Sequence, residues 1–152
     1  MEKVLFICVH NSARSQIAEA FLKKHAHEGE FEIESAGFEP TQINPLVVDV
    51  MKEVGVDLSA KTTQSVFDLF KQGRIFTYVM TVCAEGDTSC PIFPGMVHRL
   101  HLPFPDPAKL EGTREEKMEQ LRLIRDDIER NILHFIEWSR SDKKIPLSLV
   151  GD

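Results

Sequence analysis

Val4-Leu5-Phe6-Ile7-Cys8-Val9 is a short unbroken apolar run, and Ile17, Ala18, Phe21 and Leu22 follow it at helical spacing. A run of this kind predicts a strand buried on both faces, as in a parallel sheet covered by helices. A cysteine therefore leaves a strand, and Arg14 stands where a helix begins. Between them lie Val9, His10, Asn11, Ser12 and Ala13, and Ser15 follows the arginine. Their backbone N–H groups can curl inward, and the unpaired N–H groups of the helix's first turn point the same way. The stretch predicts an anion cradle with a thiol at its base. A helix N-terminus and a guanidinium both favour the thiolate, which is the nucleophilic form. Arg14 offers a fork of two donors to a tetrahedral oxyanion, where a lysine would be only a point charge. Cys-x5-Arg alone is a loose pattern, compatible with a buried strand-end cysteine and a solvated arginine. Its place between a strand and a helix, with Asn11, Ser12 and Ser15 present, gives it weight.

The rest of the chain alternates in the same way. A first helix is expected from Ser15 to about His25, with Lys23, Lys24 and His25 in its last turn. A second strand is expected over Phe31 to Ala36, closed by Gly37 and Pro40. Asn44-Pro45 reads as an N-cap with proline at the first helical position, and Val47, Val50, Met51 and Val54 supply a stripe that ends at Gly55. Residues 56–76 carry a weaker pattern, with Val66, Phe67, Leu69 and Phe70 suited to a short helix before a strand at Phe76 to Val82. Cys83 to Pro94 reads as a mobile loop. A fourth strand is expected at Val97 to Leu102, ended by Pro103, Pro105 and Pro107. Thr113 and Glu116 form a capping box for a long amphipathic helix to about Ser139, and the tail from Asp142 reads as frayed or docked in extended form. Alternating strands and helices imply an α/β fold, with ligands bound beyond the carboxyl ends of the strands, where Cys8 sits.

At 152 residues, the chain suits one domain over residues 1–152 with its own core. Its net charge of −6 argues against nucleic acid or an acidic membrane as partner, so an anion must be captured by a local site. The N-terminal apolar run is too short for a signal peptide or a spanning segment, which suggests a cytoplasmic protein. Three cysteines in a reducing compartment suggest catalytic or redox thiols. A thiolate in such a cradle can attack a bound tetrahedral oxyanion in line, and the departing oxygen then needs a proton. Asp106, between Pro105 and Pro107, is placed to give one, although an aspartate in such company also serves as an ordinary turn residue.

Together, Cys-x5-Arg-Ser with Asn11, the Ser35-Ala36-Gly37 strand end and Asp106-Pro107 resemble the low-molecular-weight protein tyrosine phosphatases and the arsenate reductases of the same fold. The resemblance spans nearly the whole chain. It implies a three-layer fold with a four-stranded parallel sheet flanked by helices. It implies Cys8 as nucleophile, residues Val9 to Ser15 as the oxyanion loop with Arg14, Ser15 as support for the thiolate, and Asp106 as general acid. Gln16 after Arg-Ser, where the phosphatases usually have proline, and Ala108 after Asp-Pro, where they carry an aromatic, resemble the reductase branch.

The spacing of Cys83 and Cys90, with Pro91 following, resembles the redox loop of the thioredoxin-coupled arsenate reductases. That resemblance implies arsenate reduction through a Cys8–Cys83 and then a Cys83–Cys90 disulfide, with thioredoxin as reductant and no cofactor. The alternatives are a phosphatase acting on phosphate monoesters through a phospho-cysteine, and a non-catalytic oxyanion-binding or redox-sensing module. Asp106 speaks against the last, since binding needs no acid. A zinc set of Cys83, Cys90, His98 and His101 has wider cysteine spacing than structural zinc pairs, and Cys83 and Cys90 also suit plain buried thiols, so no metal is expected. His10 and Ala13 depart from many relatives, which have glycine and cysteine there. Some of the reductases hold potassium at positions matching Asn11, Glu19 and Ser35. Their further aspartate has no match here, Asp68 being out of register, and the ion is left unassigned.

Overall fold

The computed structural model describes residues 1–83 and 96–148. β1 (Glu2–Cys8) is buried from Val4 onward, with Val4, Leu5, Phe6 and Ile7 all fully buried. Full burial of such side chains stabilises by about 1.5–3 kcal/mol each, which is why this run is the central strand. α1 (Arg14–His25) leads to β2 (Phe31–Gly37), then α2 (Pro45–Lys52), α3 (Val66–Lys71), β3 (Phe76–Thr81), β4 (Met96–His101) and α4 (Arg114–Arg140). The sheet is parallel throughout, in the order β2-β1-β3-β4.

Alternation along β1 divides the core. Val4, Phe6 and Cys8 belong to the cluster formed with α1, α2 and α4, whereas Leu5 and Ile7 pack with Val66 and Leu69 of α3. Helices therefore cover both faces, and the expected three-layer α/β fold with a four-stranded parallel sheet is present. α1 starts at Arg14, one residue earlier than expected, and β3 stops at Thr81. Val82 nevertheless still donates to the Ile7 carbonyl at 3.0 Å. Asn44 caps α2 by accepting from Leu46, and both halves of the Thr113–Glu116 capping box are formed.

The chain after α4 bends back and docks: Trp138 Nε1 donates to the Ile145 carbonyl at 2.7 Å, and Leu147 packs on the main cluster. The segment expected as a mobile loop lies, after Cys83, outside the described residues, and Cys90 lies there with it. Among the described residues no helix is long and apolar enough to cross a membrane.

Candidate active site

The loop from Val9 to Ala13 is shaped from outside. Val9, His10 and Ser12 carbonyls accept from the backbone N–H groups of Glu39 (2.8 Å), Thr41 (3.1 Å) and Asn44 (2.9 Å). In a trans peptide the C=O and N–H point opposite ways, so the N–H groups of His10, Asn11 and Ala13 face the concave side. The Asn11 N–H reaches Cys8 Sγ at 3.1 Å. Asn11 takes a left-handed φ of 53°, which asparagine tolerates better than most residues. Ala13 at the N-cap of α1 offers no capping side chain, which leaves the first-turn N–H groups to the loop's concavity.

Gly37, at the end of β2, shows how closely this loop is backed. A Cβ there would sit 2.8 Å from the Asn11 nitrogen and the Val9 oxygen and 2.9 Å from the His10 carbonyl carbon. Those atoms are backbone and have nowhere to go. Gly37→Ala is expected to destabilise the protein by about 1–3 kcal/mol and to weaken oxyanion binding, as read by thermal unfolding with and without phosphate.

Behind the loop runs a fully connected polar network. Cys8 Sγ lies 2.9 Å from Ser15 Oγ. Asn11 Nδ2 donates to Ser15 Oγ at 2.8 Å and to Ser35 Oγ at 2.9 Å. Ser35 in turn donates to Glu19 Oε1 at 2.5 Å. The other Glu19 oxygen accepts from Lys23 at 2.5 Å and Lys61 at 2.6 Å. Burial pushes the Glu19 carboxyl up, but the hydrogen bonds from Lys23, Lys61 and Ser35, with the charge of Lys23, outweigh it and hold the carboxyl below its ordinary value. Asn11, Glu19 and Ser35 thus come together, with two ammonium groups on the carboxylate.

Arg14 is almost fully buried, and its Nη1 donates to the Phe104 carbonyl at 3.0 Å. The chain reaches it because Leu102 and Phe104 continue the ladder along β3, donating to the Thr81 and Val82 carbonyls. Asp106 is carried to the same place, with Oδ2 3.9 Å from Arg14 Nη2. Its Oδ1 accepts from Ala108 N at 2.9 Å and caps a short 3-10 turn, so the turn role and the site position coexist in one carboxylate. Cys83 is a buried thiol, its Sγ 3.9 Å from the carbonyl oxygen of Ile7, the residue before Cys8. His98 stacks on Tyr78, and His101 Nδ1 lies 2.6 Å from Thr81 Oγ1. Cys90, outside the described residues, is not placed.

Residues 57–65 are the part of the site that sequence reasoning missed. Besides Lys61, the Thr62 carbonyl accepts from Gln16, Gln64 N donates to Asn11 Oδ1, and the Gln64 carbonyl accepts from Gly37 N. Most of these contacts use backbone groups, which leave no pattern in the side chains.

These features define an α/β protein whose first strand ends in a thiol seated beneath a loop of inward amides. Residues 3–144 match the family model for low molecular weight phosphotyrosine protein phosphatase. The chain is 41% identical over 135 residues to an arsenate reductase from Shouchella clausii, covering 88% of this chain and 94% of that protein. A solved arsenate reductase in the reduced state superposes with a TM-score of 0.71 at 26% identity, covering 90% of this chain and 98% of that one. A thioredoxin-dependent arsenate reductase from Corynebacterium glutamicum matches at 33% identity with a TM-score of 0.57, over 89% of this chain and 63% of that one. The chain belongs to the low-molecular-weight phosphotyrosine protein phosphatase family, and the resemblance to its arsenate reductases holds over nearly the full length.

Proposed function

We propose that this protein is an arsenate reductase that works through Cys8 and a Cys8–Cys83–Cys90 disulfide relay re-reduced by thioredoxin. The observation that carries the reading is the pairing of two thiols at neighbouring strand ends. Cys8 accepts from the Asn11 N–H and lies 2.9 Å from Ser15 Oγ beneath the loop, and Cys83 lies against the carbonyl of Ile7, the residue before Cys8. The arsenate reductases among its relatives support the same reading.

In the first step the loop amides and Arg14 hold arsenate, and the Cys8 thiolate attacks arsenic. One oxygen leaves, with a proton from Asp106, and a sulfur–arsenic(V) bond forms. Cys83 thiolate then attacks Cys8 Sγ. The sulfur–arsenic bond breaks with its electron pair going to arsenic, which leaves as arsenite, while the two sulfurs, oxidised together by two electrons, form the Cys8–Cys83 disulfide. Cys90 thiolate attacks Cys83 Sγ and frees Cys8, and a thioredoxin dithiol reduces the Cys83–Cys90 bond. We read residues 1–152 as one functional unit suited to a reducing cytoplasm, where these thiols stay reduced.

The second reading, hydrolysis of phosphate monoesters, is favoured by the family match and shares the first step. Ala108 after Asp106-Pro107 offers no ring to stack on a phosphotyrosine. The deciding experiment measures arsenite formed with thioredoxin, thioredoxin reductase and NADPH, beside hydrolysis of an aryl phosphate. Thioredoxin-dependent arsenite formation with slow hydrolysis is the expected result. Efficient hydrolysis without arsenite formation would make the phosphatase reading the correct one.

A further inference from the structure

The Asn11 side chain has two chemically different ends, and the direction of the bonds around Cys8 depends on which end faces the sulfur. Two backbone groups settle this. The Thr62 carbonyl can only accept, and it lies 3.3 Å from Gln16 Nε2, so the nitrogen end of the Gln16 amide faces it. The second proton of that amide goes to Asn11 Oδ1 at 3.1 Å. Gln64 N can only donate, and it reaches the same oxygen at 3.1 Å. With Oδ1 held by two donors, Asn11 Nδ2 must donate to both Ser15 and Ser35. Ser15 Oγ is then an acceptor toward Asn11, and its own proton is directed at Cys8 Sγ. Were the amide turned over, Oδ1 would face both hydroxyls and draw the Ser15 proton away from sulfur.

Gln16 is 1% exposed, yet its Oε1 has no hydrogen-bond partner among the described residues. A buried acceptor left without a partner is destabilising, and an apolar side chain of similar size would remove the penalty. Gln16 is thus poorly explained as a packing residue and well explained by what its nitrogen does.

We propose that Gln16 is a positioning residue for the Cys8 sulfur: together with the Gln64 N–H it locks the orientation of the Asn11 amide, and so aims the Ser15 hydroxyl proton at the thiolate. This rests on the reading of Cys8 as the nucleophile and names a residue that prepares it.

The test is Gln16→Met, which keeps volume and neutrality but removes the donor. Alkylation of Cys8 by iodoacetamide is followed across pH, with the modified cysteine located by mass spectrometry. The charged groups around the network are Arg14, Glu19 and Lys23 on α1, Lys61 from the 57–65 segment, and Asp106. All are the same in both proteins, so a difference reports the hydrogen bond. At neutral pH the variant is expected to alkylate about five- to tenfold more slowly than the wild type, the two rates converging at high pH. Its melting temperature should change little, since losing the unpartnered Oε1 is offset by losing the donor to the Thr62 carbonyl.

A second measurement follows the Asn11 side chain directly. In nuclear magnetic resonance spectra the two Asn11 Nδ2 protons should appear as separate, slowly exchanging signals, and Gln16→Met should speed their exchange. Rapid exchange of these protons in the wild type would overturn the proposal, as would equal alkylation rates in the two proteins. A loss of alkylation that persisted undiminished at high pH would reduce Gln16 to a structural residue and overturn it as well. Failure of Cys8 to alkylate in the wild type would strike the nucleophile reading, a distinguishable failure.

Discussion

Cys8→Ser is expected to abolish arsenate turnover and any phosphatase activity together, by at least about 10⁴-fold. A serine hydroxyl stays protonated where a thiol gives a thiolate, and it has no sulfur for disulfide exchange. The substitution is otherwise small. Asn11 N and Ser15 Oγ, which meet Cys8 Sγ at 3.1 and 2.9 Å, can still bond to an oxygen, so the loop should fold and phosphate should still bind. Arsenite formation and aryl phosphate hydrolysis measure the loss, and phosphate-induced thermal stabilisation checks that the loop survives. Near-wild-type turnover in either assay would place the chemistry elsewhere.

Cys83→Ser should separate the two reactions. Water completes a phosphatase cycle by hydrolysing a phospho-cysteine, but an arsenic(V) adduct on Cys8 is reduced only when a second thiolate takes the sulfur. The variant is therefore expected to lose thioredoxin-dependent arsenite formation while keeping whatever phosphate hydrolysis the wild type shows. Cys90→Ser should stall one step later, with a Cys8–Cys83 disulfide that peptide mapping detects after exposure to arsenate. That bond needs the two Cα atoms within about 7 Å of each other. The meeting of β1 and β3, with Val82 N on the Ile7 carbonyl at 3.0 Å, brings the two stretches of chain together. If Cys83→Ser formed arsenite at the wild-type rate, the relay would be wrong even with Cys8 as nucleophile.

The parts of this molecule readable in advance are those written in neighbouring residues. The apolar run of β1, the Asn44-Pro45 start of α2 and the Thr113–Glu116 box each place their signal within a few positions, and each is found where expected. Cys8, Arg14 and Ser15 were legible for the same reason, since a strand, a tight loop and a helix follow in immediate succession. Asp106 was readable either as a turn residue or as the acid; its carboxylate makes the turn and lies beside Arg14, and the acid role belongs to the proposed function.

The back of the site was not legible. Lys61 meets Glu19 from 42 positions away, and Gln64 meets Asn11 from 53. No periodicity links such pairs, and the 57–65 segment has neither a helical stripe nor a strand's alternation to mark it. Gln16 stood out in the sequence only through the resemblance; the amide geometry that gives it a physical reason needed coordinates.

The outward anchoring of the loop carbonyls to Glu39, Thr41 and Asn44 has a consequence for the barrier to reaction. An unanchored loop of amides would twist its oxygens toward its own empty centre, then have to turn them out again whenever an anion arrived. Here that dipolar rearrangement is blocked by bonds made on folding. On the proposed function, the amides are already oriented for negative charge when it accumulates in the transition state, so the reorganisation energy of the surroundings is small. The neighbouring strand end and the 39–44 turn, none of whose side chains need touch the substrate, thereby set how stiff the medium around the reacting oxyanion is.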